Sequence, residues 1–173
     1  MKPTIGIDEK TIAAFLYVAS KLGKEKSDMH SVFKALYFAD RKHLSEYGRM
    51  IIGDKYIAMK DGPVPSLLYD GCKDSRSRGS SFCDFFKLDG KMNIVPLKDP
   101  DLDEFSESDI ECMDSAIAEV KEMDYDDRRE NSHDSAYDNA WYKKHNSRIA
   151  VLDIARAGGA HSEIIQYLSG NIG

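Results

Sequence analysis

Apolar residues recur along this chain with a helical period at both ends and a strand-like period between them. Ile12, Phe15, Leu16, Ala19 and Leu22 share one face of a 3.6-residue repeat, and Asp8 stands ahead of them as an N-cap. A first helix is expected from Asp8 to Leu22, ended by Gly23 and the polar string KEKSD. Asp28 caps a second helix to Tyr47 with Val32, Phe33, Leu36, Tyr37 and Leu44 on its buried side, and Gly48 supplies the left-handed residue at its end. The two should pack as a hairpin. Residues 55–59, KYIAM, read as a short strand before an Asp61-Gly62 turn. Val64 precedes a proline and is extended, and Pro65 suits the first turn of a third helix through Cys72.

Residues 72–81, CKDSRSRGSS, have the composition of a loop. FFKLDG and KMNIVPL then meet at an Asp-Gly dipeptide, a strong hairpin signal, with KYIAM as the expected neighbouring strand. Ser106 and Asp109 have the spacing of a capping box before a helix with Ile110, Met113, Ile117 and Val120 inside. Residues 124–141 are polar short-helix material. Two final helices, 147–156 and 161–168, are split by Ala157-Gly158-Gly159. The expected fold is α+β: a mostly helical single domain over residues 1–173 with about six helices and a small antiparallel sheet. Trp141 is expected to anchor the core between the helix that follows Ser106 and the last two helices.

Composition narrows this picture. A chain 42% hydrophobic and 31% charged folds around a core, and no apolar run approaches the roughly 20 residues that span a bilayer. The N-terminus lacks a basic-then-apolar leader pattern, so the expected location is the cytoplasm. Cys72, Cys83 and Cys112 are widely spaced and form no zinc-finger pattern, which suits idle thiols in a reducing compartment. The net charge of -6 hides a division: residues 99–130 hold 14 acidic and 3 basic residues, leaving a surplus of positive charge elsewhere. That surplus is spread too thinly to argue for nucleic acid. The paired helices near the C-terminus resemble a helix-turn-helix, but the second, HSEIIQYLS, carries no Lys or Arg. The acidic block reads either as a solvated helix face or as a patch that steers a basic partner.

Candidate chemistry is sparse. Tyr37, Asp40 and His43 lie three residues apart on one helical face. Asp40 could orient His43 as half of a general-base pair, or both could tie the helix to the turn beside it. His133 with Asp134 could add to Asp40 and His43 as a metal site, or simply pack at a helix start. Gly62-Pro63-Val64-Pro65 lacks the further glycines and lysine of a phosphate-binding loop, and fixes chain direction rigidly. Arg49, Tyr56 and Tyr69 nearby are residue types that anchor interfaces, and equally ordinary at a core edge.

The run Leu36-Tyr37-Phe38-Ala39-Asp40 with His43-Leu44, then Tyr47-Gly48-Arg49, Gly53-Asp54-Lys55-Tyr56 and Gly62-Pro63-Val64-Pro65, resembles the Panacea domain, the SocA-like antitoxin domain of toxin–antitoxin systems of bacteria and phages. Ser106-Glu107-Ser108-Asp109 and the run from His133 to Trp141 resemble its second half, so the likeness covers about residues 10–142, with helices at 147–169 packed on it. The resemblance implies a non-catalytic antitoxin that binds a cognate toxin protein, with no cofactor or metal. Delivery of the toxin to a host protease is the alternative, and a hydrolase using Asp40, His43 and His133 a more distant one. It points to Tyr37, Asp40, His43, Arg49, Asp54, Tyr56, Gly62, Pro63, Pro65, Tyr69, His133 and Trp141 as family-motif or partner-binding residues. From the apolar runs and the charge distribution no membrane or nucleic-acid partner is expected, and a homodimer is left open.

Overall fold

The computed structural model describes residues 6–75, 81–90 and 92–171, and part of the predicted 72–81 loop lies outside them. Helix α1 (Glu9–Leu22) is capped by Asp8, whose carboxylate accepts from Thr11 N–H at 2.7 Å. Helix α2 (Met29–Tyr47) is capped by Asp28 and closed by Gly48 in the left-handed region, as its sequence predicts. The remaining helices are α3 (Ser66–Asp74), α4 (Glu107–Lys121), α5 (Tyr125–Ser132), α6 (Ser135–Lys143), α7 (Val151–Ala157) and α8 (Ser162–Asn171). The described residues thus hold eight helices rather than six, because 125–143 divides at His133 and α5 and α6 each begin on a capping aspartate.

Helix α2 is the axis of the fold. It packs against α1, α4, α5, α7 and α8, and 14 of its 19 residues are buried. A helix surrounded in this way cannot keep all of its polar residues in water, although the Lys42 and Glu46 side chains remain partly exposed. Lys34, Asp40 and His43 are therefore all inside, and each needs a partner there. Phe15, Phe33, Phe82 and Phe86 fill the core between α1, α2 and the second hairpin, with Phe86 edge-on to Phe15 at 5.0 Å between centroids.

The α+β class stands, but the strands form two separate two-stranded sheets instead of one. Strand β1 (Tyr56–Met59) pairs antiparallel with β2 (Gly62–Pro65), in the register Tyr56↔Pro65 to Met59↔Gly62. Gly62 is thus the first residue of a strand; the turn is Lys60-Asp61, and the unusual backbone, φ +119°, falls at Gly62. Strand β3 (Phe86–Asp89) pairs antiparallel with β4 (Asn93–Pro96), in the register Phe86↔Pro96 to Asp89↔Asn93. KYIAM is not its neighbour: residues 27–28 lie beside β4 and residues 147–149 beside β1. Ile94 N–H donates to Ser27 C=O at 2.8 Å beside β4. Residues 147–149 lie along β1, with Ala58 N–H donating to Ser147 C=O at 2.9 Å and Ile149 N–H to Tyr56 C=O at 2.8 Å. That pairing corrects the expected helix start at Ser147: the segment is extended, and α7 begins only at Val151. Pro65 likewise precedes α3 as its N-cap residue instead of sitting in its first turn.

Candidate functional site

The motif residues meet as a frame of buried hydrogen bonds centred on α2. Asp40 is fully buried, with Oδ1 accepting from Ile51 N–H at 2.6 Å and Ile52 N–H at 3.3 Å, and Oδ2 from the Tyr56 hydroxyl at 2.5 Å. One helical carboxylate thereby fixes the chain that leaves α2 and the strand that follows. Burial pushes its pKa up to about 7 against the pull of those three donors. Asp54 performs a related service one step later. Its carboxylate accepts from Leu67 N–H at 3.0 Å and Leu68 N–H at 2.9 Å, so it caps α3, whose own N-cap residue is a proline without a capping side chain.

His43 and Asp109 form a second node, between α2 and α4. The Arg49 carbonyl can only accept, so His43 Nδ1, at 2.8 Å, carries the hydrogen. Burial lowers the His43 pKa, which leaves Nε2 to accept from Ser108 Oγ at 2.9 Å. Asp109 closes the capping box with Ser106 and is wholly buried. Its Oδ2 lies 2.9 Å from Lys10 Nζ, and its Oδ1 lies 2.9 Å from Arg49 Nη2 and 3.3 Å from His43 Nε2. Burial alone would raise this carboxyl, but the Lys10 and Ser106 hydrogen bonds and the two cations hold it below its ordinary value.

Two further links bind α2 to the C-terminal half. Tyr37 donates to Asp134 Oδ2 at 2.7 Å, which Arg41 also meets at 2.8 Å, while Asp134 Oδ1 caps α6 through Tyr137 N–H. Lys34, 1% exposed, donates to Pro63 C=O at 2.9 Å. Its pKa is pushed down to about 7 by burial, with nearby Asp61 opposing. Gly62 is required beside it: a Cβ there would lie 2.6 Å from both Lys34 Cε and Ser132 Oγ.

The remaining candidates lie apart from these nodes. Tyr69 is half-buried, edge-on to Phe33, with Lys73 over its ring. His133, Tyr137, Trp141 and His145 stack in sequence along α6, at 4.0, 5.9 and 3.7 Å between centroids. Trp141 is thus half-buried in a ladder of rings and not deep between helices. His133 packs on Tyr137 while His43 faces Arg49 and Ser108, so they do not share a ligand set. No group of three or more His, Cys, Asp or Glu among the described residues is placed to hold a metal. The general-base pair does not form either, since Asp40 spends both oxygens on Ile51, Ile52 and Tyr56, and His43 spends both nitrogens elsewhere. Sequence reasoning missed Lys34, and missed Lys10 and Ser108 as partners of Asp109 and His43. Of these only Lys34 carried a signal, a lysine inside the apolar run Val32-Phe33-Lys34-Ala35-Leu36.

Fold and frame together define a helical α+β domain that uses its polar motif residues to join its own elements. The chain belongs to the family described as antitoxin SocA-like, Panacea domain, whose pattern matches residues 32–142. That span opens in α2 and closes in α6, and takes in every node of the frame except Lys10. No curated protein and no solved structure matches the chain. Among the described residues, no helix is long and apolar enough to cross a membrane.

Proposed function

We propose that this protein is the antitoxin of a toxin–antitoxin pair and neutralises its toxin by direct protein–protein binding, without catalysis. The observation that carries the reading is family membership over residues 32–142, which include both halves of the motif. The frame supports it: Asp40, His43, Asp54 and Tyr56 each direct their polar atoms to this chain's own backbone and side chains, which suits a scaffold for binding surfaces. On this reading the motif serves the fold, and partner choice lies in the surfaces around it.

Co-expression of the chain with the product of the adjacent gene tests this, with growth and co-purification as readouts. Rescue of growth together with a stable complex is the expected result. Rescue that disappears in a protease-deficient host would replace direct neutralisation with protease delivery. A harmless neighbour that does not co-purify would remove the antitoxin reading altogether. Arg49→Ala and Tyr69→Ala are expected to retain rescue; loss in both would move the interface onto the motif.

A further inference from the structure

Two hollows adjoin along α1, one of about 300 Å³ and one of about 590 Å³, and Asp99 lines both. The floor of the first is Ile12, Leu16 and Phe85; that of the second is Tyr17, Leu102 and Ile110. Leu102 is 58% exposed and Leu97, on the same loop, 49%. These side chains are held at the surface by local structure. Asp101 caps the 3-10 turn Leu102–Glu104 through Asp103 N–H, Phe105 N–H donates back to Leu102 C=O, and the Phe105 ring stands edge-on to Tyr17 at 5.8 Å. The groove is therefore built before anything enters it, which keeps the entropic cost of binding low.

Its rim selects by charge. Glu9, Asp99, Asp101 and Glu104 line the first hollow, and none of the four forms an ion pair among the described residues. The two lysines at the groove lie over aromatic rings, Lys21 over Tyr17 and Lys98 over Phe85. An apolar channel edged by four carboxylates that form no ion pair among the described residues complements a chain that alternates apolar with cationic side chains, the chemistry of amphipathic segments laid into grooves.

We propose that this groove is where the toxin docks: it receives a basic amphipathic segment whose apolar side chains enter between α1 and residues 97–104 and whose lysines or arginines meet Glu9, Asp99, Asp101 and Glu104. The proposal rests on the antitoxin reading and adds the surface and the partner's chemistry. It is tested on the full chain with the purified product of the adjacent gene as probe. Leu102→Arg is expected to weaken Kd by about 30-fold or more, and Asp99→Lys with Glu104→Lys by about tenfold with a shallower salt dependence. Lys143→Glu with Lys144→Glu, at the C-terminal end of α6, should leave Kd unchanged. An unaltered Tm in each variant separates lost binding from lost folding. If the folded groove variants bind like the parent, the groove is overturned while the antitoxin reading stands. If the parent itself does not bind the neighbour, that reading fails, and the groove is decided by titrating the 15N-labelled chain with a Leu/Lys amphipathic peptide and its Leu/Glu counterpart. Shifts at Tyr17, Leu102 and Ile110 with the Leu/Lys peptide alone uphold a site for basic segments; equal or scattered shifts overturn it.

Discussion

Asp40 on α2 and Asp109 on α4 are both buried carboxylates, yet they are held by opposite means. Asp40 accepts from two backbone N–H groups and a phenol and has no ion pair among the described residues, so burial dominates and its pKa rises to about 7. Asp109 lies against Lys10 and Arg49, and its pKa falls. Neutral donors give direction without offsetting the cost of a buried charge; cations offset it. The first node is thus a fastener for loops and the second a cation-bridged joint between helices α1, α2 and α4.

Removing each carboxylate should expose that difference. Asp40→Ala orphans two backbone donors and the Tyr56 hydroxyl inside the core, and is expected to cost about 3–5 kcal/mol in urea unfolding at pH 7. Asp109→Ala loses the capping box, but its cations sit partly in water, Arg49 at 45% and Lys10 at 26% exposure, so about 2–3 kcal/mol is expected. Equal losses would erase the distinction. The pH profile sharpens it. A carboxyl whose folded pKa is raised contributes stability that is full below its ordinary value of 3.8 and lost as pH rises through about 7. Asp109, with its pKa lowered, contributes in the opposite sense: its share is present above the ordinary value and lost as pH falls through the lower folded one. Asp40→Asn should therefore flatten a decline of up to about 1.4 kcal/mol per pH unit between pH 4 and 7, while Asp109→Asn should reduce acid sensitivity at lower pH. Stability curves taken from pH 3 to 8 would read both. The smallest effect expected is the coupling between Arg49 and Asp109: a double-mutant cycle should give less than about 1 kcal/mol, because Arg49 is half-exposed.

The two nodes also differ in how far the sequence disclosed them. The capping box of Ser106 with Asp109 is local, and its three-residue spacing announces it, as do the caps at Asp8 and Asp28 and the stop at Gly48. The ion pairs from Asp109 to Lys10 and Arg49 join residues far apart in the chain, and no spacing reports them. Asp40 and Tyr56 were both visible as motif residues, but the bond between them was not, and neither were Ile51 and Ile52, since a backbone donor leaves no mark in a sequence. Strand β2 escaped for a separate reason. Pro63 and Pro65 lack an N–H and signal a turn, yet both fit the edge of a two-stranded hairpin. The third segment on β1, residues 147–149, was hidden because its partner lies some ninety residues earlier in the chain.

That last pairing bears on how the protein can be dissected. The family likeness ends at residue 142, four residues short of the point where Asn146 N–H reaches Ala58 C=O. A fragment cut at that boundary would bare the backbone of β1, releasing Ala58 N–H and Tyr56 C=O on an open strand edge beside the buried Tyr56 ring. Such an edge invites pairing with any extended chain it meets. A truncated version would then be sticky for reasons unrelated to its natural partner, and pull-downs made with it would report the wound rather than the surface.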